Sequence, residues 1–219
     1  MNISQEVKAF VIQNADENLA EFSKKLIFTK YKIYGIKTAQ LEAFAKELAK
    51  KDVNLYELPL DSHEEILIAG MTLSYSKMPE HEKIVFFNKL INHIDNWGTC
   101  DMIVCRLKKC ESEIDYFKNL LTRAEPIQKR VGIIFLMRFA LKADCENTVS
   151  LVLGVQDENY YVKMAQAWLI AEAALVEFDF VYETIKNLTD REIKLKAIQK
   201  LVDSFRITVE QKEKLKKLR

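Results

Sequence analysis

The sequence predicts an all-α fold, an α-solenoid of HEAT-like antiparallel helical hairpins with a concave, locally basic face. Three observations carry the prediction. Only five glycines and three prolines punctuate 219 residues. Apolar residues recur at spacings of three and four, the period of one helix face, and no stretch alternates as a strand does. Helical hairpins recur at a period of roughly 30 to 38 residues, the range of helical repeat families. Hairpins stacked in this way bury a continuous core and line a concave face with one helix of each pair.

The elements follow in order. Ile3 to Ile12 forms the first apolar stripe, and Asn14 and Asp16 are candidate caps for a second running through Leu19, Phe22, Leu26 and Ile27. Thr38 caps a helix whose apolar positions are Leu41, Phe44, Ala45 and Leu48. After Leu55 to Leu58 and Pro59, Ser62 and Glu65 read as a capping box for a helix through Ile66, Ala69, Leu73 and Tyr75. Pro79 opens its partner, with Ile84, Phe87, Leu90 and Ile91. Further pairs start at Trp97, Pro126, Tyr160 and Arg191, and the basic tail from Lys212 to Arg219 is expected to fray.

Composition narrows the functional classes. A chain of this length that is 49% hydrophobic buries one sizeable core, so a single domain over 1–219 is expected. The formal charge of +1 announces no polyanion by itself, and a nucleic-acid reading must come from local clustering. The opening Met1-Asn2-Ile3-Ser4-Gln5-Glu6 has no basic region followed by an apolar run, and the longest apolar run, Val131 to Met137, is too short to span a bilayer. A cytoplasmic protein without membrane partners is expected. Cys100, Cys105, Cys110 and Cys145 lack C-x-x-C spacing, and His63, His81 and His93 are not spaced as ligands, so reduced thiols and no metal are expected. No P-loop, G-x-G-x-x-G or nucleophile elbow occurs, which leaves nucleotide cofactors and acyl transfer unsupported.

Four places carry candidate chemistry. Trp97 and Asp101 are four apart in Ile94-Asp95-Asn96-Trp97-Gly98-Thr99-Cys100-Asp101, one turn from each other on a helix face. An indole beside a carboxylate suits a cationic or cation-developing group, although the same residues also serve as a core anchor and a first-turn dipole partner. From Phe22 to Leu41 no acidic residue occurs, while Lys24, Lys25, Lys30, Lys32 and Lys37 interleave with Phe28, Tyr31 and Tyr34. That pattern tracks a phosphate backbone or forms a solvated lysine face. Arg130, at the polar head of Gln128-Lys129-Arg130-Val131-Gly132-Ile133, reaches either a phosphate or a neighbouring carboxylate. Trp168, flanked by alanines, is a core residue or a fourth member of the same face, since Trp97, Asp101, Arg130 and Trp168 fall near the starts of successive repeats.

These segments resemble the bacterial DNA alkylation repair glycosylases built from HEAT-like repeats, the AlkD-like proteins. The resemblance covers most of the chain and rests on Tyr34-Gly35-Ile36 through Leu41, on Ile94-Asp95-Asn96-Trp97 with Cys100-Asp101, on Arg130, and on Tyr160-Tyr161-Val162-Lys163-Met164-Ala165 with Ala167-Trp168. It implies hydrolysis of the N-glycosidic bond of N3- or N7-alkylated purines in duplex DNA, with the lesion handled through the backbone and no base flipped into a pocket; the architecture adds the expectation of a monomer, and the absence of cofactor motifs that of no cofactor. It further implies that Asp101 is the catalytic carboxylate, that Trp97 and Trp168 pack against the deoxyribose, and that Arg130 holds the adjacent phosphate. Lys129, Lys163, Lys30, Lys32, Tyr34 and Lys37 complete the candidate DNA contacts. Where relatives carry an arginine a turn past the second tryptophan, this chain has Ala171-Glu172.

A constellation with a single acid is chemically sufficient for that reaction. An alkylated purine already positive at its ring leaves without a general acid, and one carboxylate can stabilise the oxocarbenium character left on the sugar while it orients water. Two alternatives from other classes are a non-catalytic HEAT-repeat binder of distorted or branched DNA and a protein-interaction scaffold.

Overall fold

The computed structural model describes residues 2–108 and 110–219, and among them thirteen α-helices and no strand. The chain divides into two compact units, Met1–Glu113 and Ile114–Arg219. The first holds α1 (Ile3–Gln13), α2 (Glu17–Lys24), α3 (Thr38–Lys50), α4 (His63–Tyr75), α5 (Glu80–Leu90) and α6 (Trp97–Val104). The second holds α7 (Ile114–Leu120), α8 (Pro126–Phe139), α9 (Cys145–Leu153), α10 (Tyr160–Ala173), α11 (Phe178–Asn187), α12 (Arg191–Asp203) and α13 (Val209–Lys216). The starts of α6, α8, α10 and α12 fall on Trp97, Pro126, Tyr160 and Arg191, where the sequence places the starts of further helical pairs.

In the first unit α4 is the central element. It packs against α1, α3, α5 and α6, and every residue from His63 to Ser74 is buried, including Glu64 and Glu65. A helix apolar on all sides has to lie inside, which is why its sequence shows little amphipathic contrast. Gly70 lets α6 approach closely: a Cβ there would come within 2.5 Å of Ile103.

The second unit is layered in the manner of a helical repeat. The helices α8, α10 and α12 pack in succession, while α7, α9, α11 and α13 join them along the chain, each against its sequence neighbours. Stacked Phe117 and Phe135 tie α7 to α8. This sequential pairing is what the hairpin period predicts for an α-solenoid.

Four local expectations change. The second helix stops at Lys24, short of Leu26 and Ile27; Lys25 N and Leu26 N close a tight turn on Phe22 O and Ser23 O, and the Leu26 carbonyl accepts from the Trp97 indole. The Tyr34 carbonyl accepts from Asp16 N at 3.0 Å, and buried Glu64 accepts from Tyr34 N at 3.0 Å and Gly35 N at 2.7 Å. Gly35 has φ +80°, and a Cβ there would sit 2.2 Å from the Asp16 carbonyl oxygen, so the turn admits glycine alone. Lys37, not Thr38, is the N-cap of α3, with no side-chain cap bond. Ser62 caps α4 through Glu65 N, but the Glu65 carboxylate turns to Asp61 N at 2.7 Å instead of closing a reciprocal box. The basic tail is helical through Lys216, because Thr208 and Gln211 form a capping box and Leu215 is buried.

Candidate active site

In the first unit the candidate site grows from the start of α6. Asn96 is fully buried and caps the helix, its Oδ1 accepting from Thr99 N at 3.0 Å. That bond fixes the amide orientation, so Nδ2 donates to Asp95 Oδ1 at 2.8 Å and to Thr99 Oγ1 at 3.0 Å. The Thr99 hydroxyl also hydrogen-bonds His63 Nδ1, 3.1 Å away. Burial holds His63 below the ordinary histidine value, against the opposing pull of Glu64 and Asp95. The chain Asp95, Asn96, Thr99 and His63 thus anchors the first turn of α6 on α4. Gly98 belongs to the same packing: a Cβ there would press on Ile27 at 3.1 Å and on the capping Asn96 at 3.2 Å.

Two loop contacts fasten the basic segment to this turn. Asp95 accepts from Thr29 Oγ1 at 2.9 Å and from Lys30 N at 2.9 Å. The Trp97 indole N–H donates to the Leu26 carbonyl at 3.1 Å, which orients a ring that stays 38% exposed. Asp101 lies one turn on, half-buried on the same helix. The far end of α6 is tied to α3 through Arg106, which donates to Glu42. Hydrogen bonds from Lys46 and Tyr75, then Arg106, hold the Glu42 carboxyl down to about 2. Both ends of the helix bearing Trp97 and Asp101 are therefore fixed.

Around it, Lys30, Lys32 and Lys37 are exposed, and Tyr34 is half-buried. The Lys30 ammonium lies 5.2 Å from the Tyr31 ring centre and that of Lys32 lies 4.2 Å from the Tyr34 ring centre. His93 bonds the Tyr31 hydroxyl at 2.9 Å. Lys37 and Met102, the residue after Asp101, line a common cleft of about 270 Å³ with His63 and Glu64.

In the second unit Trp168 is half-buried on α10, and its indole N–H donates to Glu172 Oε1 at 3.3 Å. Glu172 in turn accepts from both terminal nitrogens of Arg206, at 3.0 and 2.6 Å, and the Lys200 ammonium lies 5.9 Å from the Trp168 ring centre. Arg130 is buried at 5% exposure, with Nη1 donating to the Tyr161 carbonyl at 2.8 Å. Lys129 pairs with Asp157 at 2.7 Å, with both side chains largely buried. Lys163 is buried among Glu158, Asp190 and Glu192, at 2.8, 3.1 and 3.5 Å, and hydrogen bonds to Glu158 and Asp190 raise its pKa. A phosphate reaching Lys129 or Lys163 would have to displace carboxylates already in place, so both lysines serve the fold first.

Sequence reasoning did not single out Arg206, Lys200 or the anchoring roles of Asp95 and Asn96. Asn96 had a local signal, a capping residue three before Thr99. The others act across 32 to 66 residues of chain, as in Trp168 with Lys200 and Thr29 with Asp95, and leave no mark in local spacing.

Among the described residues no cluster of three or more His, Cys, Asp or Glu side chains is arranged to hold a metal ion. No helix among them is long and apolar enough to cross a membrane. The described residues form an all-helical protein consistent with an α-solenoid. Residues 7–202 match the family described as DNA alkylation repair enzyme, and the chain belongs to that family. A comparison with curated proteins finds no match.

Proposed function

We propose that this chain is a DNA glycosylase that hydrolyses the N-glycosidic bond of positively charged N3- or N7-alkylated purines in duplex DNA, as a monomer in the cytoplasm, without flipping the lesion into a pocket. The observation that carries the reading is α6: an exposed indole and a half-buried carboxylate one turn apart, on a helix start locked by a buried network. Family membership supplies DNA alkylation repair as the setting.

In this reading the C1′–N bond breaks with its electron pair leaving on the purine, whose positive charge is thereby neutralised. Asp101 stabilises the oxocarbenium character at C1′ and orients a water whose oxygen bonds to C1′ and whose proton passes to solvent, leaving an abasic sugar. Trp97 and Trp168 pack against the deoxyribose, where an indole face also favours developing positive charge. Arg130 holds the adjacent phosphate, while Lys30, Lys32, Tyr34 and Lys37 follow the backbone.

The experiment is release of 7-methylguanine and 3-methyladenine from methylated duplex DNA by the wild type and by Asp101→Asn. Asp101→Asn is expected to bind the duplex normally and to excise about 100-fold or more slowly, the scale of losing one preorganised electrostatic group. If neither protein releases a base while both bind DNA, the chain is a structural DNA binder.

A further inference from the structure

We infer that Phe28 is a wedge that enters a base step of the bound duplex, with Lys30 and Lys32 on the flanking phosphates. The inference rests on the reading of the chain as a DNA-acting enzyme and deepens it. Phe28 is 86% exposed, so nearly the whole of a large apolar ring stands in water with little packing role. Its loop is held on both sides. Two residues before it, the Leu26 carbonyl accepts the Trp97 indole N–H; the next two residues, Thr29 and Lys30, bond Asp95. Both anchors lead to the first turn of α6. The ring therefore projects from fixed backbone, which lowers the conformational freedom lost on insertion.

The charge around the ring selects the partner. No acidic residue lies between Phe22 and Leu41. Among the described residues Lys25, Lys30, Lys32 and Lys37 enter no ion pair with a carboxylate, whereas Lys24 is paired with Glu21. A protein pocket receiving Phe28 would have to bury or neutralise those ammonium groups. A duplex offers stacked aromatic faces between two rows of phosphate, which satisfies the ring and the lysines together. The anchors also place the wedge on the same rigid block as Asp101. A step opened beside the lesion gives water and the carboxylate access to the C1′–N bond while the alkylated nucleotide stays within the helix.

The test uses a duplex in which a 2′-fluoro nucleoside carries 7-methylguanine, since the electron-withdrawing fluorine disfavours the oxocarbenium ion and keeps the bond intact during binding. A 2-aminopurine beside it reports unstacking by its emission. Wild type is expected to raise the emission. Phe28→Ala is expected to bind about 10-fold more weakly at fixed salt, with an unchanged salt slope, and to give no rise even at saturation. Phe28→Tyr is expected to restore both. Unchanged melting temperature in Phe28→Ala guards against misfolding, as expected for an exposed ring. An emission rise in saturated Phe28→Ala equal to that of wild type overturns the wedge and leaves the glycosylase reading standing if base release continues. Failure of the wild type to bind DNA overturns both.

Discussion

Replacing Asn96 with alanine is expected to destabilise the first unit by about 3 kcal/mol. The side chain makes three bonds, each of which the variant loses. The cap on Thr99 N contributes about 1 kcal/mol, and the bonds from Nδ2 to Asp95 and Thr99 about 1 kcal/mol each. Asp95 keeps Thr29 and Lys30 as donors and Thr99 keeps His63, so the buried Thr99 N–H is the group left unpaired. Urea unfolding is the assay: with m near 2 kcal/mol/M, the midpoint moves down by roughly 1.5 M at unchanged m. Asn96→Asp separates the cap from the network. It keeps the cap acceptor but sets a second carboxylate in place of the amide that donates to Asp95 from 2.8 Å, so it is expected to be destabilised at neutral pH and partly rescued as one acid protonates. An Asn96→Ala variant within about 0.5 kcal/mol of wild type would refute the claim that this network fixes the helix start, since surface substitutions show effects of that size.

Three further outcomes follow from the same contacts. His63 is held neutral by burial, with its folded pKa below the ordinary 6.5, so the unfolded chain binds the extra proton first; stability is complete above that value and falls as pH drops from it towards the folded pKa, by at most about 1.4 kcal/mol per pH unit. Urea midpoints across that window should flatten in His63→Gln, and an identical pH slope in both proteins would remove His63 as the cause. Lys30→Gln with Lys32→Gln is expected to lower the slope of log binding constant against log salt by about two, whereas Lys163→Gln lowers the melting temperature and leaves the slope alone. Base release should persist in chelator and should be weak or absent on ethenoadenine, a neutral lesion that leaves only after protonation; efficient excision of it would contradict a mechanism with one carboxylate.

The helices were legible because their signals are local. Asp16, a candidate cap in the sequence, bonds the backbone N–H three residues on, and Asn96, Asn159 and Asp190, just before helix starts that the hairpin pattern places, cap in the same local way. The pairing of Trp97 with Asp101 was legible for the same reason. What holds that pair in place was not, because the Leu26 carbonyl reaches the Trp97 indole across 71 residues and leaves no periodic trace. Charge was the least legible property of all. Lys30 and Lys163 look alike in sequence, yet one is exposed and the other buried among three carboxylates, and only the partners distinguish a cation available to DNA from one committed to the fold.

Glu172 shows how far that limit extends. Read along the chain, an acid near Trp168 turns the site less attractive to phosphate. In the folded second unit Glu172 is the acceptor for Arg206, from the segment between α12 and α13, and Lys200 of α12 lies near the face of the same indole. One carboxylate and two cations therefore meet beside Trp168. The carboxylate has a geometric role as well: by accepting from the indole and from both guanidinium nitrogens it fixes the ring and the cation relative to each other, which an unpaired arginine on a flexible stem does not do. The positive charge that the local sequence lacks comes instead from the next hairpin, and α10 supplies the acid that holds it there.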